Sequence, residues 1–86
     1  MTNDQIEKFV EPRHLDKDPV RISFKTRNTF NGLFIQSRDY EDLKSKNYWR
    51  IVSETHLQEW SRTHDQNLSR IFHGGEFTRL SDLKKA

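Results

Sequence analysis

"VRISFKTRNTFNGLFIQ", Val20 to Gln36, is the stretch whose reading decides the fold. Its first half alternates: Val20, Ile22 and Phe24 on one side, Arg21, Ser23 and Lys25 on the other. A period of two is the mark of a β-strand. Arg27-Asn28 then predicts a hairpin turn into "TFNGLFIQ", a second strand with apolar residues on both faces, Phe30 and Phe34 against Leu33 and Ile35. Gly32 lies inside that strand, and a strand-internal glycine marks a sharp bend or bulge. Small closed barrels need such bends, because one long strand must serve two sheets.

Outward from this pair the remaining elements are short. "TNDQIEKFV", residues 2–10, predicts a helix capped by Thr2 or Asn3, with Ile6, Phe9 and Val10 on one face. Pro12 ends it, and "RHLDKDP" is a polar connection. After Gln36, "SRDYEDLKSKN" reads as a loop that has room for one helical turn, and "YWRIVSE" as a third strand. Residues 55–67 fit a short helix ending near Arg62, with Thr55 and Gln58 as a capping box and Leu57 and Trp60 on its buried face. The same periodicity also runs on through Leu68, Ile71 and Phe72 as one long helix. "LSRIF" and "EFTRLS" predict a closing hairpin about His73-Gly74-Gly75, whose glycines would supply positive φ angles. The order is helix, three strands, helical insertion and two strands: a mainly β, five-stranded SH3-like small barrel. It makes one domain over 1–86, with 1–19 as helix and connection, 20–81 as barrel and 82–86 as a polar tail.

Composition narrows the function. Hydrophobic residues are 31% and charged residues 33%, so the core is thin and must rest on six Phe, two Trp and two Tyr. With no cysteine there is no disulfide and no thiolate metal site. No apolar run reaches membrane-span length and no signal peptide is visible, which predicts a cytoplasmic protein away from membranes. His56 and His64 lie eight apart, not at the spacing of two ligands on one helical turn, so no metal or other cofactor is expected. No nucleophile elbow occurs, and Glu41-Asp42 sits in a polar loop, so no enzyme is expected. Charge is uneven: residues 21–50 carry seven basic and three acidic side chains against a net charge of +2 for the whole chain. In that middle Tyr40, Tyr48 and Trp49 interleave with Arg38, Lys44, Lys46 and Arg50, a pattern suited to stacking bases while cations follow phosphates. The bland reading is that Trp49 is core and the lysines are a solvated face.

Two stretches carry a family resemblance. "VRISFKTRNTFNGLFIQSRDYEDL" and "RIFHGGEFTRL" resemble the two motifs of the Sm-like small barrels, with Gly32 and Asp39 at matching positions and Tyr40 and Leu43 near the expected loop positions. The resemblance implies rings assembled by strand four of one copy pairing with strand five of the next, and single-stranded RNA held at the loops. It implies that Tyr40 stacks a base and Asp39 braces the loop. Two positions depart from the family: Asp42 stands where Asn usually reads the base, and His73 where Arg usually sits. Both changes weaken affinity for phosphate. The expectation is a noncatalytic binding module for single-stranded RNA or another polyanion, with Arg38, Asp39, Tyr40, Lys44, Lys46, Tyr48, Arg50 and His73 as its surface. The alternative is a protein-interaction or self-assembling module that docks through its edge strands.

Overall fold

The computed structural model describes residues 1–83. Helix α1 (Asn3–Val10) leads into β1 (Val20–Phe24) and β2 (Phe30–Phe34). Helix α2 (Tyr40–Ser45) precedes β3 (Tyr48–Ser53), and α3 (Leu57–Thr63) separates β3 from β4 (Ser69–His73). A short 3-10 turn, Gly74–Glu76, joins β4 to β5 (Phe77–Asp82). All strands lie antiparallel in one sheet of order β4-β3-β2-β1-β5. β5 runs through Asp82, and residues 84–86 of the expected tail lie outside the described residues. Among the described residues no helix is long and apolar enough to cross a membrane.

The two-sided strand β2 explains why the sheet is covered on both faces. Phe34 joins Val20, Ile22, Phe24, Trp49, Ile51, Phe77 and Leu80 on one face, where α1 adds Ile6 and Val10. Leu33 and Ile35 face the other way and join Val52 and Trp60, with Leu57 and Leu68 against them. Trp60 therefore holds α3 onto the back of β2 and β3. The first face is strongly curled. Strands spaced about 4.8 Å apart would put β4 and β1 roughly 14 Å from each other across a flat sheet. Yet the rings of Phe24 on β1 and Phe72 on β4 have centroids 5.5 Å apart.

Several local expectations are corrected. Gly32 marks no bulge: β2 pairs in regular register with β1 and β3, and the irregularity falls between Ser23 and Phe24 where β1 meets β5. A Cβ at Gly32 would come 2.6 Å from Ile51 Cγ2, so the glycine allows close packing at the floor of the curl. β4 and β5 form no hairpin, since they occupy opposite edges of the sheet. Gly74 and Gly75 have ordinary φ. What Gly74 supplies is room: a Cβ there would strike the Asn47 amide and Ile6 Cδ1. The capping box expected from Thr55 and Gln58 does not form, for Thr55 Oγ1 bonds Ser53 Oγ at 2.9 Å and α3 has no side-chain cap. The box at α1 does form, between Thr2 and Gln5. The connection after α1 is not wholly solvated, because His14 is buried with its ring stacked on Phe9.

Candidate functional site: an arginine-rimmed aromatic cleft

The loop and helix that carry most of the expected RNA contacts are satisfied from within the protein. Arg50 on β3 grips Asp39 with both arms of its guanidinium, Nε to Oδ1 at 3.1 Å and NH2 to Oδ2 at 2.8 Å. Ser37 also donates to Asp39 Oδ1. The Arg50 guanidinium, and then Ser37, hold the Asp39 carboxyl well below the usual carboxylate range. Asp39 thus braces its loop, but the arginine it uses is spent.

Tyr40 is not a stacking platform. Its ring is only 6% exposed and stands edge-on to Trp49. Its hydroxyl donates to Glu11 Oε2 at 2.5 Å. Burial, and then the Glu11 carboxylate, push the phenol upward, while the Tyr40 and Lys44 hydrogen bonds draw Glu11 downward. Lys44 is likewise committed: its ammonium lies 3.0 Å from Glu11, 3.2 Å from Glu7 and 3.3 Å from Glu41. These carboxylates, Glu11 foremost, hold its pKa above the ordinary lysine value. Lys44 ties α2 to α1 and has no charge to spare for phosphate.

The other expected residues are scattered. Arg38 is exposed, and Lys46 reaches Asp42 at 3.7 Å on the outside of α2. Tyr48 and His73 are opposite each other on β3 and β4, edge to face with ring centroids 5.0 Å apart. His73 Nδ1 accepts a hydrogen bond from Gly75 N at 3.0 Å, so its ring shapes the 3-10 turn. Arg50 and Ile71 are the next cross-strand pair on that face. Of the eight, Tyr48, His73 and Arg50 share one face of β3 and β4, and Arg50 is joined there to Asp39.

A different group converges on the curled face. A cleft of about 230 Å³ opens between the β1–β2 loop, β3 and β4. Its apolar lining is Phe30, Ile51, Leu68 and Phe72, and its polar rim is Arg27, Ser53, His56 and Arg70. The Arg27 guanidinium sits over the rings of Phe24 and Phe72, 5.5 and 5.3 Å from their centroids, which fixes it at the mouth. Among the described residues no carboxylate pairs with Arg27 or Arg70. Arg27 over an aromatic ring, with Arg70 as a second unneutralised guanidinium on the same rim, can hold an anion and a flat ring together. The sequence signal for this site was strand parity: Arg70 and Phe72 are two apart on β4, so they share a face, and the register sets Arg70 opposite Ile51. Nothing local in the sequence shows that the curl brings Arg27 to them.

Among the described residues no three His, Asp or Glu side chains come together to hold a metal ion. The fold and the cleft define a small five-stranded antiparallel β domain with a cationic, aromatic cleft on its curled face. Compared with protein-family models, curated proteins and solved structures, the chain has no significant match.

Proposed function

We propose that this chain is a noncatalytic binding module for single-stranded RNA or a similar polyanion, held in the cleft between Arg27 and Arg70. The observation that carries this reading is the presence of Arg27 and Arg70, neither with a carboxylate partner among the described residues, on the rim of a cleft walled by Phe30 and Phe72, with Arg27 over the Phe72 ring. A base stacked on an aromatic ring contributes roughly 1–3 kcal/mol, while the guanidinium groups pair with phosphates. The order β4-β3-β2-β1-β5 and the contact of Phe24 with Phe72 support an SH3-like barrel as the architecture. In this reading the protein works in the cytoplasm. The Sm-like resemblance supports the ligand class, with the contact surface moved from the Asp39–Lys44 loop to the curled face.

The test is a titration of short single-stranded RNA at low and raised salt, with Arg27→Ala/Arg70→Ala beside the parent protein. Each lost phosphate contact should lower the salt slope by about 0.7, so the double variant should lose about 1.4. Absence of binding at low ionic strength would remove the proposal.

One observation favours a second reading. Ile71 is 46% exposed and Tyr48 40% exposed on the outer face of β3 and β4, beside the unpaired edge of β4. Self-association or a protein partner at that edge would cover them. A solution mass of one chain at all concentrations would count against self-association.

A further inference from the structure

Beside the cleft, and sharing Phe30 and Ser53 with it, runs a shallower groove with a different chemistry. Its lining adds Arg21, Thr29, Asn31, Glu54 and Thr55. Asn31 Nδ2 donates to Glu54 Oε1 at 3.2 Å, which ties the carboxylate to the groove wall. Glu54 is exposed, and among the described residues no cation pairs with it. A free carboxylate repels phosphate at its own end of the groove, while Arg21 lines the same groove. The carboxylate end accepts hydrogen bonds: Glu54 Oε2 is open, Oε1 retains a second lone pair, and Asn31 Oδ1 has no hydrogen-bond partner within the described protein.

Resting on the RNA reading above, we infer that the Asn31–Glu54 groove reads a guanine next to the nucleotide held in the cleft. Among the four bases, guanine alone places two donors side by side on its pairing edge, N1–H and N2–H, which match the two oxygens of one carboxylate. Uracil offers a single N3–H. Adenine and cytosine set an exocyclic amine beside an acceptor nitrogen, whose lone pair faces a carboxylate oxygen unfavourably. Phe30 lines both sites, which puts the groove next to the cleft that holds the stacked base in this reading.

The experiment compares three single-stranded hexamers: all-uridine, the same with one guanosine, and the same with one inosine, which keeps N1–H and lacks the 2-amino group. The guanosine hexamer should bind the parent protein at least about fivefold tighter than all-uridine, the lower bound for a bidentate base contact. Inosine should fall between the two. Glu54→Gln, an exposed substitution that removes the repulsion and one acceptor oxygen, should erase the guanosine preference while leaving all-uridine binding intact or stronger. Equal affinities for the three hexamers in the parent protein, or a preference that survives Glu54→Gln, would overturn the inference and leave the RNA reading standing. No binding of any hexamer at low salt would remove both.

Discussion

Replacing Lys44 with methionine separates the structural account from the simplest reading of a lysine in a basic, aromatic segment. The side chain is 16% exposed and its ammonium faces Glu7, Glu11 and Glu41 at 3.0 to 3.3 Å. Glu41 is 77% exposed, so its pair is screened and adds little. Glu7 and Glu11 are about two-thirds covered, and each pair is worth about 0.5–1 kcal/mol. Lys44→Met also leaves these carboxylates facing one another, so a total loss of about 2 kcal/mol is expected. For a domain of this size that is a fall in Tm of roughly 8–16 °C. The gap should narrow in high salt, which screens the released repulsion. Thermal unfolding followed by circular dichroism, at two salt concentrations, reads both effects. RNA affinity of the folded variant should stay within twofold of the parent. An unchanged Tm accompanied by a large loss of RNA binding would refute the argument, because Lys44 would then be a ligand contact and not a tie between helices.

Asp39→Asn tests the Arg50 clamp through pH. Folding lowers the Asp39 pKa, so its stabilisation is complete above the ordinary carboxylate range and fades as pH falls through the lowered folded value. The Tm difference between parent and variant should be constant from pH 6 to 8 and shrink on acidification below about 4; a difference that grows on acidification would contradict the assignment. Trp60→Ala should cost about 3–5 kcal/mol in urea unfolding, because Trp60 packs on Leu33, Ile35 and Val52 with 8% of its surface exposed. A loss below 1 kcal/mol would mean that α3 does not hold the back of the sheet.

The strands were legible because their period was. Val20-Ile22-Phe24 could only alternate, and β2, with Phe34 against Leu33 and Ile35, already carried the two cores that the structure separates. The capped start of α1 was legible for the same local reason, since Thr2 and Gln5 stand at capping-box spacing. What escaped is non-local. Asn47, at φ 66°, accepts from Trp49 Nε1 and donates to Met1 O, and its carbonyl receives Gly74 N. That hub explains why Gly74 must be small, yet its partners are scattered along the chain. The internal commitments of Tyr40 and Lys44 were hidden for a related reason. Basic and aromatic residues between Arg38 and Arg50 look like a surface until Glu7 of α1 and Glu11 just after it, far away in sequence, arrive to claim Tyr40 and Lys44. No sequence pattern links Arg27, in the β1–β2 loop, with Arg70 on β4; the curl of the sheet brings both to one cleft.

The central claim is the place of the binding face, and backbone amide shifts in a titration with short single-stranded RNA test it most directly. The largest changes should fall at Arg27, Phe30, Ser53, Arg70 and Phe72 around the cleft, with Asp39 to Lys46 nearly still. Changes concentrated at Arg38 to Lys46, or none at low salt, would contradict it.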